Sequence, residues 1–283
     1  MFVRRLTLLV SLTVLMAAAA AGCGGNGHGA TSLSISIGES GGAATFDAPK
    51  SSEGGLVEVK FDNRGKVPHS VQLALVKGGH SVEEGLKIVQ GESPRTPEWL
   101  RAEGGVGTTA PGETRTASLN LPAGTYALTE LGGPGLTGEP ATGSLEVTAG
   151  DEGALPSTSA TVTAAETGKD RFAWEISGLK AGKNELTFNS KGEKALHMIA
   201  AYRVKDGQDP SLSEIKKSFS SPRPPAFAEL ETLTQTAVLD GGGSQTTTLD
   251  LRKGTYVFFC PLTDRDGGKP HFEEGLLKKV EIK

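Results

Sequence analysis

Two side chains near the C-terminus have the residue types and the spacing for metal binding. Cys260 closes a strongly apolar run, GTYVFFC, and His271 follows eleven positions later, after a polar, glycine-rich segment that predicts a loop. A thiolate at a strand end and an imidazole just past a loop are two soft ligands that a β-sandwich can bring to one metal ion. The elements around these two residues decide whether they meet.

The run that ends at Cys260 reads as a strand buried at one end of a sandwich. Alternation along a strand places Tyr256, Phe258 and Cys260 on one face, with Val257 and Phe259 on the other. Cys260 then ends a row of large inward side chains. His197 stands at the start of another mostly apolar run, after a polar turn, which predicts a strand that begins with this imidazole.

The chain contains two copies of one unit. Five motifs recur in the same order at offsets of 127 to 130 positions, which indicates a duplicated domain. The matched positions are 39–41 with 166–168, Phe61 with Phe188, His69 with His197, 93–95 with 221–223, and 124–126 with 254–256. The glycine- and proline-containing stretch 149–158 is the predicted linker between the copies.

Many short β-rich runs separated by turns predict an all-β protein of two tandem antiparallel Greek-key sandwiches. Each copy also carries one short helical insert. Ser81 with Glu84, and Ser211 with Glu214, have the Ser-x-x-Glu spacing of a capping box, in which the serine side chain accepts from a free N–H group at the helix start. Its recurrence at equivalent positions supports both the helices and the duplication.

The N-terminus predicts a secretory signal. Arg4 and Arg5 precede an apolar run and an alanine tract, and the segment ends in Ala-Ala-Gly-Cys at Cys23. This end resembles a bacterial lipobox, with Ala20 where the motif usually has leucine. The resemblance implies cleavage before Cys23 and lipidation of its thiol, which would anchor the protein to the outer side of the cell membrane. Cys260 would then have no partner for an intramolecular disulfide, because the chain has only two cysteines.

The predicted organisation follows from the signal, the duplication and the linker. It comprises a signal peptide and lipobox at 1–23, a tether at 24–30, a first domain at 31–148, the linker at 149–158 and a second domain at 159–283. No later apolar run approaches the length of a membrane span. The formal net charge of −4, without a long basic run, argues against a nucleic-acid partner.

The second copy resembles the cupredoxin, or blue-copper, family. The residues that carry the resemblance are Gly254, Tyr256, Phe258, Cys260 and His271. The resemblance implies a trigonal copper site made by His197, Cys260 and His271, which would shuttle one electron with little rearrangement. The family's axial position, usually methionine, falls on Leu276. Leucine cannot coordinate, so the resemblance implies a three-coordinate site that favours Cu(I) and has a high reduction potential.

The first copy serves as an internal control for this metal site. Glu130 stands where the second copy has Cys260, and no histidine follows in 132–147. We therefore expect a metal-free first domain, in which His69 is a remnant of the fold or a surface group. His80, beside the helix cap, and His28, in the tether, read as solvated.

The same residues argue against an enzyme. Two-domain copper oxidases and nitrite reductases resemble this layout, but they carry histidine directly before the cysteine, where this chain has Phe259. Five histidines are too few for the second copper centre of an oxidase. The sequence therefore predicts a non-enzymatic protein.

The predicted function is that of an envelope lipoprotein with one copper ion in its second domain, for electron transfer to a redox partner protein or for copper holding. Zinc is the alternative metal, with an oxygen ligand from Asp264, Asp266, Glu273 or Glu274. A different alternative is a metal-free binding or scaffold module. Such a module would present Trp99 or Phe227 of the helical inserts to a partner, although core packing is also a role for these aromatic side chains.

Overall fold

A computed structural model of the protein describes residues 29–283 apart from 42, 94, 132–138 and 222. The predicted signal peptide, the lipidation site Cys23, most of the tether and His28 lie outside the described residues. Within the described part of the chain, no helix has the length and apolar content of a membrane span.

The N-terminal half contains nine described strands and one short helix. The strands are β1 (Thr31–Ser40), β2 (Ala43–Asp47), β3 (Ser51–Glu53), β4 (Gly55–Asn63), β5 (His69–Val76), β6 (Leu100–Thr109), β7 (Thr114–Leu121), β8 (Gly124–Thr129) and β9 (Thr142–Thr148). Helix α1 (Val82–Lys87) continues into a π-helical turn (Ile88–Glu92). It begins with the predicted capping box of Ser81 and Glu84.

The C-terminal half repeats this order. Its strands are β10 (Ala160–Gly168), β11 (Arg171–Ser177), β12 (Gly182–Ser190), β13 (Leu196–His197), β14 (Ala200–Val204), β15 (Ala228–Gln235), β16 (Leu239–Asp240), β17 (Ser244–Leu251), β18 (Gly254–Phe259) and β19 (Leu277–Ile282). Helix α2 (Leu212–Phe219) begins with the second predicted capping box, Ser211 with Glu214. The all-β prediction with one helical insert in each half is confirmed at this level, whereas the Greek-key connectivity stays a prediction.

Each half begins with a mixed sheet, so the prediction of purely antiparallel pairing is wrong. The orders are β2-β1-β4-β7 and β11-β10-β12-β17, in which β1 pairs with β4 and β10 with β12 in parallel. The hairpin partner β11 occupies one edge of β10. Because the chain crosses from β11 to the other edge of β10 before it forms β12, this next strand runs parallel to β10.

The largest apolar cluster of each half lies between its mixed sheet and the sheet formed by its later strands. In the C-terminal half, Phe188 of β12 and the pair Tyr256 and Phe258 of β18 belong to one buried cluster, and none of the three is more than 1% exposed. Burial of a side chain of this size stabilises the fold by about 1.5–3 kcal/mol. The duplicated tyrosine serves the fold in both halves, since Tyr126 donates to Pro122 O at 2.8 Å and Tyr256 accepts from the Arg252 N–H at 2.9 Å.

The two halves share a sheet, which the sequence did not predict. The seven-stranded order β13-β16-β6-β5-β8-β9-β3 joins two short strands of the C-terminal half to the N-terminal half, through the pairing of Leu239 with Glu103. Glycines of β6 permit this approach, because a Cβ on Gly104 would lie 2.3 Å from the Gln245 side chain. The last sheet, β15-β14-β18-β19, belongs to the C-terminal half alone.

Candidate metal centre

Cys260 lies directly after β18 and is fully buried. Its N–H donates to Leu276 O at 3.1 Å and its carbonyl accepts from the Phe272 N–H at 2.9 Å, so the backbone is held on both sides. As predicted, the sulfur belongs to the same core cluster as Tyr256 and Phe258, while Val257 packs on the opposite side of the strand with the cluster around α2. The thiol is therefore at the end of the core, away from water.

His271 lies beside this thiol. Its Nδ1 is 3.7 Å from Cys260 Sγ, and its Nε2 is 3.1 Å from Asp264 Oδ1. A carboxylate only accepts, so Nε2 carries the proton and Nδ1 keeps a lone pair on the side of the sulfur. The His271 ring is fully buried. Its backbone N–H donates to Leu262 O at 2.8 Å, which folds the loop back on its own start.

His197 supplies a second free nitrogen. Its Nδ1 is 3.1 Å from Ser190 Oγ, and that hydroxyl also donates to Leu239 O at 3.3 Å. In the tautomer that makes both contacts hydrogen bonds, the hydroxyl proton points to Leu239 O and Nδ1 of His197 donates to Ser190, which leaves a lone pair on Nε2. This Nε2 is buried without a hydrogen-bond partner among the described residues. An unpaired buried nitrogen costs about 1–3 kcal/mol, which a bound metal ion would offset.

The three predicted ligands converge on one region. The ring centroids of His197 and His271 are 4.7 Å apart, and the Phe172 ring lies 4.9 Å and 4.8 Å from them. Phe172 reaches this position because residue 275 is glycine, since a Cβ there would lie 1.9 Å from Phe172 O. The described residues contain no group of three or more His, Cys, Asp or Glu side chains already set in a metal-binding arrangement. The geometry is that of a close Cys–His pair with the second imidazole beside it.

The environment keeps all three side chains neutral. Burial raises the pKa of the Cys260 thiol to about 12. Burial, and secondarily the neighbouring His271, lowers the pKa of His197 to about 3. The pKa of His271 is also lowered by burial, against the opposing effect of the Asp264 carboxylate. Neutral imidazoles are ready to bind a metal ion, whereas the thiol must lose its proton on binding.

The predicted axial position is occupied by an apolar side chain. Leu276 is fully buried, belongs to the same core cluster as Cys260, and donates its N–H to His271 O at 2.8 Å. The zinc alternative gains little from the nearby carboxylates. Asp264 contacts the Nε2 side of His271, away from the sulfur, and Asp266 is exposed and paired with Lys194 at 2.6 Å.

Sequence reasoning missed the side chains that orient these ligands. Ser190 fixes the proton of His197, Asp264 fixes that of His271, and Phe172 covers both rings. Beyond Asp264 lies an open cleft of about 730 Å³, lined by charged side chains that include Glu273 and Glu274. The site is therefore buried, and the Asp264 carboxylate separates His271 from the open cleft. Only Asp264 had a sequence signal, as an acidic residue in the loop.

In the N-terminal half the equivalent position holds a buried contact between a histidine and two carboxylates. His69 is buried, with Nδ1 against the Glu130 carboxylate and Nε2 3.0 Å from Glu39 Oε1. The other oxygen of Glu130 accepts from the Ala141 N–H at 2.8 Å. The expectation of a surface group at His69 is therefore wrong, because the two carboxylates provide the partners that its burial requires. Glu130 takes the place of the thiolate and binds the imidazole directly.

The aromatic residues of the inserts pack on their own half. Trp99 lies against the cluster of Ala74, Val76 and Leu100, and it stacks on His80 with centroids 4.0 Å apart. Phe227 packs with the cluster around α2. His80 keeps 37% of its side chain exposed, in agreement with a solvated residue. Core packing thus accounts for Trp99, and the scaffold alternative gains no support from it.

Several solved structures are similar to this chain. A multicopper oxidase is 16% identical over 89% of this chain and 88% of its own, with a TM-score of 0.25. Auracyanin A, a blue copper protein from Chloroflexus aurantiacus, is 21% identical over 41% of this chain and 99% of its own, with a TM-score of 0.29. The copper nitrite reductase of Nitrosomonas europaea is 13% identical over 89% and 94%, with a TM-score of 0.23. No protein-family model matches the chain, and no curated protein matches its sequence.

Identities and TM-scores this low assign neither an activity nor a bound group to this chain. Support for the predicted cupredoxin-like fold comes from this chain's own strands. These strands enclose a core between two sheets in each half, with a cysteine at the end of strand β18 and His271 in the connection to strand β19.

The prediction that the chain is not an enzyme is wrong in excluding that class. The structures that align with 89% of the chain include a multicopper oxidase and copper nitrite reductases, which are enzymes. The exclusion depended on the number of histidines and on Phe259 before the cysteine. Those features argue against a second copper centre of one particular kind, and they do not address other chemistry at a single site.

Proposed function

We propose that the C-terminal half binds one copper ion through His197, Cys260 and His271, for single-electron transfer or copper holding. The observation that carries the proposal is the convergence of two buried imidazoles and a buried thiol, with a lone pair on each ring. His271 Nδ1 faces the Cys260 sulfur at 3.7 Å, and His197 Nε2 is buried without a partner among the described residues. One thiolate and two imidazoles are soft donors that suit copper.

The protein's contribution to this chemistry is orientation and exclusion of water. Copper, when bound, supplies the one-electron couple. Ser190 holds the proton of His197 on Nδ1, and Asp264 holds that of His271 on Nε2. The other nitrogen of each ring keeps its lone pair, so neither ring has to change tautomer on binding. Leu276, at the predicted axial position, would offer no donor, and we propose that the site would therefore favour Cu(I) and have a high potential.

The wider assignment is a two-domain envelope lipoprotein. We propose two cupredoxin-like Greek-key sandwiches at 31–148 and 159–283, with the first free of metal because Glu130 pairs with His69. Lipidation at Cys23 would anchor the protein outside the cell membrane and near a redox partner protein. Replacement of Cys23 by alanine should release the protein from the membrane fraction, and an unchanged membrane association would contradict the anchor.

Copper loading tests the site. One equivalent of Cu(II) added to the purified protein should give an intense visible thiolate-to-copper charge-transfer band, which Cys260→Ala should abolish. His80→Gln is the matched control, because it changes a partly exposed histidine that is not one of the three proposed ligands. A colourless protein that also retains no Cu(I) would contradict copper binding. Retention of zinc in place of both copper states would favour the alternative metal.

A further inference from the structure

The loop between Cys260 and His271 carries a buried arginine that reaches the other half of the molecule. Only 8% of Arg265 is exposed. Its Nη1 donates to the carbonyls of Pro97 and Leu100, each at 2.9 Å, and to Thr96 O at 3.3 Å. In return, the Thr96 N–H donates to Arg265 O at 2.9 Å. The ligand loop is thus bound directly to the insert of the N-terminal half.

Asp240 completes this contact from the C-terminal half. The Arg265 guanidinium binds the Asp240 carboxylate in a fork, with Nε to Oδ1 at 2.8 Å and Nη2 against both oxygens. Asp240 Oδ2 also accepts from the Ala102 N–H of β6 at 2.8 Å. The pair is almost fully buried, with 9% of the Arg265 side chain and 3% of the Asp240 side chain exposed. A fork of this geometry fixes the orientation of both partners as well as their distance.

Strand β16, which contains Asp240, also pairs with the strand of His197. Asp240 belongs to β16, which pairs with β13 through Leu239 opposite His197, and with β6 through Leu239 opposite Glu103. Arg265 also donates its backbone N–H to Lys194 O at 3.0 Å, just before β13. The strand of His197 is therefore linked to β6 through β16, and Arg265 holds the loop before His271 at Pro97 and Leu100.

We propose that the N-terminal half, through the Arg265–Asp240 fork, is a positioning platform for the ligands of the C-terminal half. This inference rests on the proposed copper site for its consequence, although the fork itself forms without metal. It also gives the ligand loop a role beyond joining Cys260 to His271, since Arg265 carries it to Pro97 and Leu100. Arg265 and Asp240 are positioning residues and do not touch the metal.

Three variants test the platform. Arg265→Gln and Asp240→Asn each remove one side of the fork while keeping polar groups of similar size. Asp266→Asn is the matched control, because it breaks the exposed Lys194 pair in the same loop. Leu33→Ala controls for general loss of stability, since it opens a cavity in the N-terminal core away from the loop. Circular dichroism verifies the strand content of every variant.

The first readout needs no metal. Alkylation of the Cys260 thiol in the metal-free protein reports how often the ligand loop opens. Arg265→Gln and Asp240→Asn should raise the alkylation rate at least about tenfold, because removal of one partner leaves a buried charge unpaired. Asp266→Asn and Leu33→Ala should stay within about twofold of the wild type. Equal rates in Arg265→Gln and Asp266→Asn would overturn the platform, whether or not the protein binds copper.

The second readout is copper affinity, measured by competition with a chelator of known affinity. Both fork variants should lose between about 10-fold and 100-fold in affinity, the usual effect of residues that orient metal ligands. The thiolate charge-transfer band should also shift, whereas it should be unchanged in Asp266→Asn and in Leu33→Ala. A loss of affinity in Leu33→Ala as large as that in the fork variants would assign the effect to stability and overturn the positioning role. A wild type that takes no copper would refute the proposed function alone, since alkylation still decides the platform.

Discussion

Acid should destabilise the metal-free protein through its buried imidazoles, and His197 is the clearest case. Its ordinary pKa is 6.5, and burial lowers the pKa in the folded protein to about 3. Between these values the unfolded chain binds a proton at this residue and the folded chain does not. The stabilisation that the neutral His197 ring contributes is therefore fully present above about pH 6.5 and is lost as the pH falls.

The magnitude follows from the two pKa values. Each pH unit by which the solution is acidified between these values lowers the free energy of unfolding by about 1.4 kcal/mol. Lowering the pH from 6.5 to 4 should thus remove roughly 3 kcal/mol of unfolding free energy through His197 alone. The ring is fully buried, so solvent screening does not reduce this effect. His271, whose pKa is lowered as well, should add a loss in the same direction.

Urea unfolding of the metal-free protein at pH 7 and pH 4 measures this loss. His197→Gln cannot be protonated and retains a polar side chain beside Ser190, so its stability should fall by roughly 3 kcal/mol less than that of the wild type over this range. His80→Gln is the control, because it replaces a histidine that lies on the surface of the N-terminal half, away from His197 and His271. Equal losses in the wild type and His197→Gln would refute the buried, neutral imidazole.

Three other predictions concern the two equivalent sites. Leu276→Met should cost less than about 1.5 kcal/mol of stability. It should also lower the reduction potential of the copper-loaded protein, because a fourth donor stabilises Cu(II) relative to a three-coordinate site. Voltammetry showing no shift would place residue 276 away from the metal. Loading Cu(II) at pH 7 should release about one proton, from the Cys260 thiol, measured with an indicator dye in weak buffer; no release would contradict thiolate ligation. Glu130→Gln should cost about 3–5 kcal/mol of unfolding free energy by breaking the buried contact with His69. The exposed variant Glu113→Gln should cost no more than about 0.5 kcal/mol, and a similar cost for both in urea unfolding would refute the importance of the buried pair.

Features set by local chemistry could be predicted from the sequence. The capping boxes at Ser81 and Ser211 depend on residues three positions apart, and both helices begin there. The alternation that turns Tyr256, Phe258 and Cys260 toward the core is likewise a property of one strand. The duplication added the equivalence of His69 with His197, and with it the contrast between Glu130 and Cys260.

Features set by pairing between distant segments could not be predicted. His69 was expected to be a remnant or a surface group because its partners, Glu39 and Glu130, are 30 and 61 positions away. A carboxylate far along the chain gives no periodic signal. The parallel pairing of the first strands depends in the same way on which edge of a sheet a later strand reaches.

The shared sheet and the contacts of Arg265 could not be predicted from the sequence for the same reason. Arg265 read as one charged residue in a polar loop, and its main-chain partners at Pro97 and Leu100 lie more than 160 positions earlier. The glycines of β6 gave the only local hint. Their lack of a Cβ permits the close approach of the other half, but a glycine run in a strand is equally consistent with a bulge.

X-ray absorption at the copper edge of the protein loaded with one equivalent of copper tests the central claim most directly. We predict one sulfur and two imidazole nitrogens around a single copper ion, with the sulfur signal absent in Cys260→Ala and one nitrogen lost in His197→Gln. A copper ion surrounded only by oxygen and nitrogen, or a spectrum that is the same in the wild type and Cys260→Ala, would contradict the site.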